Sequence, residues 1–175
     1  MTNHVHHAGC GCGPALSRRG MLGLGLAGGA MMAFPALAAG YDAMLFNCID
    51  PRFTTLSWAY MAQNGMKDRY SQFVIAGGPI GVISPKFADW QKTFWDNLEI
   101  TVQLHDVKKV IGLTHRDCGA AVVAYGERIK TDKAFETAQH TEALRTFRAE
   151  VAKRQPKLGV ETGIMALDGK VDIVT

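Results

Sequence analysis

Two short stretches decide how this chain reads: Asn47-Cys48-Ile49-Asp50-Pro51-Arg52-Phe53 and Thr114-His115-Arg116-Asp117-Cys118-Gly119-Ala120. Each follows an apolar run of strand character, Ala43-Met44-Leu45-Phe46 before the first and Val110-Ile111-Gly112-Leu113 before the second. Each also leads into a segment that reads as a helix. In an open α/β sheet, residues just past the carboxyl ends of the strands face the crevice where ligands bind. If the two strands are neighbours, two thiols, an imidazole and a carboxylate converge there. Cys48, His115 and Cys118 then form a good ligand complement for one Zn2+ ion, three protein donors with a fourth position left over.

Outward from these stretches, strands and helices alternate. Thr54 or Thr55 is placed to cap a helix through Leu56, Ala59, Tyr60 and Met61, ending at Gly65. Phe73-Val74-Ile75-Ala76 reads as a strand broken by Gly77-Gly78-Pro79, and Ser84-Pro85 starts a helix running to His105. In that helix Phe87, Trp90, Phe94 or Trp95, Leu98, Val102 and Leu104 recur near a 3.6 period, the mark of a core face. Lys109 to Thr114 is the next strand, a short helix starts at Gly119, and Lys133 to Arg154 reads as a long surface helix stopped by Gln155-Pro156. Val160 to Leu167 and Val171 to Val174, joined by a turn at Asp168-Gly169, close the chain as a strand and its hairpin partner. The pattern predicts an α/β fold: a mostly parallel central sheet of four to five strands with helices on both faces.

The pair of motifs, Cys-x-Asp-x-Arg over 48–52 and His-x-x-Cys-Gly over 115–119, resembles the β-class carbonic anhydrases. These are small zinc enzymes that interconvert carbon dioxide and bicarbonate. Either motif alone is a weak signal; both in this order, each at a strand end, form a specific one. The resemblance runs from roughly Ala43 to the C-terminus and implies that family's fold, with one zinc per chain on Cys48, His115 and Cys118. It also implies a catalytic dyad of Asp50 and Arg52 that aims a zinc-bound hydroxide at carbon dioxide. Pro51 stands where the family usually has serine, and Ile75-Ala76-Gly77-Gly78-Pro79 where it often has Arg-Asn-Ala-Gly-Asn.

The residue chemistry is consistent with that implication. A metal lowers the pKa of bound water toward about 7 in favourable sites, and two thiolates should depress it less than imidazoles do, so activity is expected to rise at alkaline pH. Asp50 is close enough in sequence to Cys48 to reach the fourth position itself, and Arg52 can hold that carboxylate in a bidentate pair. Other readings stay open. Asp50 and Arg52 could be an ordinary strand-end ion pair, and an oxidising compartment would permit a Cys48–Cys118 disulfide. The same site suits a zinc hydrolase of carbon disulfide or carbonyl sulfide, or a zinc-binding protein without turnover. His105 and His140 read as partly exposed helix histidines, the identities of Arg116 and Asp117 as free to vary, and Gly119 as a close backbone approach.

Ahead of this domain, Ser17-Arg18-Arg19-Gly20-Met21-Leu22 resembles the twin-arginine export motif. An uncharged Gly- and Ala-rich stretch follows to about Ala39, with an A-x-A-like site at Ala36-Leu37-Ala38. The expected organisation is a cleaved signal over 1–38 and a single zinc domain over 39–175, exported to the periplasm or another extracytoplasmic space. A retained membrane anchor is the competing reading, and a cut there leaves about nine residues before Cys48, where the family tends to carry a long helical arm. His4-Val5-His6-His7 and Cys10-Gly11-Cys12 precede the arginines, so they read as an unstructured start that cleavage would discard. The formal net charge is +3, and becomes +1 without Arg18 and Arg19, the only charged residues before Asp42. No basic run or nucleic-acid motif stands out, so the expected partners are carbon dioxide and bicarbonate, the export machinery and, as an option, a second copy in a homodimer.

Overall fold

A computed structural model describes residues 40–175; the expected signal, its cleavage site and the His/Cys tract lie outside the described residues. Five strands form one sheet in the order β2-β1-β3-β4-β5: β1 Ala43–Asn47, β2 Tyr70–Val74, β3 Lys109–His115, β4 Gly159–Met165 and β5 Val171–Ile173. The first four are parallel, and β5 returns antiparallel on β4 through a turn in which Gly169 takes φ +87°. Between the strands lie α1 Thr54–Gln63, α2 Pro79–Ile83, α3 Ala88–His105, α4 Gly119–Tyr125, α5 Arg128–Thr131 and α6 Lys133–Arg154. The predicted α/β architecture is borne out, with five strands.

Every residue of β1 is buried, as a central parallel strand covered on both faces requires. Ala43 and Leu45 pack with Phe53, Met61, Met66, Ile111 and Leu113 on the α1 side. Met44 and Phe46 face the other way, into Phe94, Leu98, Phe147 and Val151 of α3 and α6. The two cores thus follow the two-residue alternation of the strand. Gly112 on β3 lets α6 approach: a Cβ there would meet the Phe147 ring at 2.8 Å.

Local detail departs from the sequence reading in several places. The first helix is entered through a 3-10 turn, Pro51–Phe53, whose cap is Asp50 rather than a threonine, with the Asp50 side chain accepting from the Arg52 N–H. The second strand lies earlier than expected, ending at Val74, and Pro79 opens the unpredicted α2. In α3, Phe94 and Leu98 are buried, but Leu104 is 70% exposed, because in the last turn it is Val102 that reaches the core and His105 that reaches Ser71 of β2, leaving Leu104 on the outer face. Among the described residues no helix is long and apolar enough to cross a membrane.

Candidate metal centre

The chain leaves β1 toward β2 on one side and returns to β3 on the other, so the strand order reverses between β1 and β3. Crevices in open α/β sheets form at such a reversal, beyond the carboxyl ends of the strands. Cys48 immediately follows β1, His115 ends β3, and Cys118 caps the start of α4. A loop from the far side covers the gap. Gly78, at φ +54°, passes so close that a Cβ would lie 3.0 Å from the Asn47 backbone carbon and the Leu113 carbonyl oxygen. Its neighbour Gly77 donates its N–H to Cys48 Sγ at 3.1 Å. Gly78 thus keeps the glycine of the resembled Arg-Asn-Ala-Gly-Asn stretch, because only glycine fits where the loop crosses two strand ends, while Gly77 departs from that stretch and supplies the N–H to Cys48.

The donor atoms of Cys48, His115 and Cys118 lie within 4.8 Å of one another, and all three residues are buried. Both cysteines are free thiols. His115 Nδ1 lies 2.8 Å from the Arg116 carbonyl oxygen, which can only accept, so Nδ1 carries the hydrogen and Nε2 presents a lone pair. That Nε2 is buried with no hydrogen-bond partner, which in a metal-free interior is a costly orphan. Phe53 stacks on the imidazole at a centroid distance of 4.0 Å and fixes its plane. An oriented histidine with a free lone pair beside two buried thiols fits a metal ion with nitrogen and sulfur ligands. Between the sulfurs, Cys48 ionises first. Its pKa is pulled down by a hydrogen bond from Cys118, against burial, with help from the Gly77 N–H. Cys118, keeping that proton, is pushed up.

Asp50 is outside this cluster of donors, because Arg52 holds it. Arg52 Nε and Nη2 donate to the two Asp50 carboxylate oxygens at 3.0 and 2.7 Å. Chiefly through this pair, the Asp50 pKa is lowered to about 2, so the carboxylate is ionised and can only accept. Sequence reasoning missed the far side of Arg52. Its Nη1 donates to Asp117 Oδ2 at 2.7 Å and its Nη2 to the Asp117 carbonyl at 3.1 Å. Asp117 in turn donates its N–H to Glu136 Oε1 at 2.9 Å, and Glu136 also pairs with Arg116 at 3.1 Å. Arg116 and Asp117 are therefore not free positions.

Two further expectations are corrected. His140 is fully buried, not partly exposed, and both its ring nitrogens lack partners; burial pushes its pKa down to about 4, so it is neutral. A signal existed in α6: the stripe Glu136, His140, Ala143, Leu144, Phe147 and Val151 has helical spacing, with two polar residues on an otherwise apolar face. Gly119 is not a close approach, since a Cβ there would meet nothing within 4 Å. His105 is partly exposed as expected and pairs with Ser71 at 2.6 Å near the start of β2, at the end of the parallel strands opposite to the Cys48, His115 and Cys118 cluster.

No protein-family model matches the chain. A carbonic anhydrase from Glaciozyma antarctica aligns with a TM-score of 0.51 at 15% identity, over 81% of this chain and 87% of that one. The β-carbonic anhydrase of Aspergillus fumigatus aligns with a TM-score of 0.48 at 17% identity, over 81% and 80%. Fold and cluster together define the class, an α/β protein with the β-carbonic-anhydrase fold and a Cys-His-Cys site that could hold a metal, as the two motifs implied. In sequence the chain is 33% identical over 129 residues to uncharacterized proteins of Rickettsia conorii and Rickettsia bellii, covering 74% of this chain and 69% and 79% of theirs. The chain belongs to the family that these rickettsial proteins represent.

Proposed function

We propose that this protein is a zinc-dependent carbonic anhydrase that hydrates carbon dioxide reversibly to bicarbonate. One observation carries the reading: three buried donors converge at the sheet's reversal point with an Arg-held carboxylate two residues from the first of them. Zinc bound by Cys48, His115 and Cys118 would supply a Lewis acid that makes water nucleophilic near neutral pH. The chain's own groups do the rest. The Gly77 N–H supports the Cys48 thiolate, and the Arg116 carbonyl holds His115 in its metal-binding tautomer. Asp50, kept ionised by Arg52, accepts a hydrogen bond from the attacking water and so turns that oxygen's lone pair toward carbon dioxide. Catalysis of this kind depends on acceptors that are already in place before reaction.

Stopped-flow hydration of carbon dioxide by the zinc-loaded protein, beside Asp50→Ala, tests this. The expected result is fast hydration that falls by about 10² or more in the variant, with zinc retained. One bound zinc and no hydration in the unaltered protein would overturn the reading.

The reading includes export by the twin-arginine route to an extracytoplasmic space, supported by Ser17-Arg18-Arg19 and the small residues at Ala36 and Ala38. Replacing Arg18 and Arg19 by lysine should retain the protein in the cytoplasm; unaltered fractionation would remove this part. It also includes self-association through a sheet edge. Supporting that, β2 and β5 bound the sheet, and Val74 and Ile173 on them are exposed apolar side chains.

A further inference from the structure

We propose that Asp117 is a positioning residue: it locks Arg52 from the side opposite Asp50, and so keeps the Asp50 carboxylate from moving onto the metal. This rests on the metal-site reading above.

The side chain of Arg52 is 48% exposed, and a half-exposed arginine with one partner is free to swing. Here four of its five N–H groups are engaged, two toward Asp50 and two toward Asp117, the latter on a carboxylate oxygen and a backbone carbonyl. One guanidinium thus ties the loop after β1 to the loop after β3, across 65 residues of sequence. Two contacts on one residue fix the plane of the fork as well as its place.

Asp117 is itself held. It sits in the left-handed region at φ +58°, which aspartate tolerates better than most residues. Its N–H is bound by Glu136, a buried carboxylate on the long helix α6. The path from α6 through Asp117 to Arg52 is therefore continuous, and its last step orients Asp50. Since Asp50 lies two residues from Cys48, the alternative to its place on Arg52 is the open ligand position beside that sulfur. Asp117 decides between the two by making Arg52 immobile.

The test uses the cobalt-substituted protein, whose visible spectrum reports what fills the fourth position, titrated with thiocyanate as an exogenous anion. Asp117→Gly removes the carboxylate while accepting the left-handed backbone, and Asp117→Asn keeps that backbone with an uncharged partner for Arg52. In Asp117→Gly, competition from Asp50 should weaken thiocyanate binding by about tenfold, within the usual range of coupling between two sites. Asp117→Asn should lie between, and adding Asp50→Asn to Asp117→Gly should restore tight binding. Unchanged thiocyanate affinity in Asp117→Gly, with stoichiometric cobalt, would overturn the role of Asp117. Failure of the unaltered protein itself to bind cobalt would overturn the metal-site reading instead.

Discussion

Two Arg–Asp pairs in which the arginine fork meets both carboxylate oxygens stand at the ends of β1, one at each. At the amino end, Arg69 Nε and Nη2 reach Asp42 at 2.6 and 2.8 Å; at the carboxyl end, Arg52 reaches Asp50 at 3.0 and 2.7 Å. In both, the arginine pulls the carboxylate's pKa down. Yet Arg69 and Asp42 only clip the starts of β1 and β2 together, beside the backbone bond from the Asp42 N–H to the Arg69 carbonyl. Arg52 and Asp50 stand next to two sulfurs and an imidazole, and Arg52 has a second carboxylate on its other side. A pair's geometry does not tell what it is for. Its place relative to the direction of the parallel strands does, because all four parallel strands open their crevice at the same end.

The largest loss is expected at the candidate metal ligands. His115→Ala should leave a protein that folds but no longer binds stoichiometric zinc, read by metal analysis after dialysis, and its hydration rate should fall to that of buffer. Next comes the contrast between the pairs. Arg52→Ala should lower kcat/KM by about 10² with zinc retained, whereas Arg69→Ala should leave it unchanged. An equal loss in both variants would mean that the carboxyl-end pair is only structural.

The carboxyl end also holds the buried His140, facing Glu136, Arg116 and His115, and this end should therefore be the acid-sensitive one. The native state keeps this ring neutral down to about pH 4. An unfolded histidine takes a proton below about 6.5. Between these values the unfolded chain binds the extra proton, so stability falls as pH drops through the window and is unaffected above it. The loss from this group should reach up to about 3 kcal/mol in urea unfolding, and His140→Leu should flatten that part of the pH curve.

Smaller effects sharpen the contrast away from the site. Gly112→Ala forces a methyl into the Phe147 ring and should cost about 1–3 kcal/mol of stability without changing the ligands. Arg69→Ala should cost no more than about 1 kcal/mol by urea unfolding, the range of an exposed ion pair.

Much of this was legible from local chemistry. Cys48, Asp50, Arg52, His115 and Cys118 could be found because their types are restricted and each motif directly follows an apolar strand run. Asp117 and Glu136 were not, since an aspartate in a turn and a glutamate in a charged helix are ordinary. Their partners lie 65 and 19 residues away in sequence. His140 was misread for a related reason: a single histidine on a helix says nothing about burial until the polar interruption of its stripe is weighed against the sheet beneath.

By itself, the sequence determined the order of the five strands and of the longer helices, the two strand-end motifs and the set of candidate metal-binding side chains, because these follow from periodicity and from the chemistry of single residues. The tertiary structure alone decided that β1 and β3 are neighbours, that Gly77 and Gly78 close over their ends, and that Arg52 is held from both sides. Those contacts join residues far apart along the chain, and only the packing of one sheet order among many brings them within hydrogen-bonding reach.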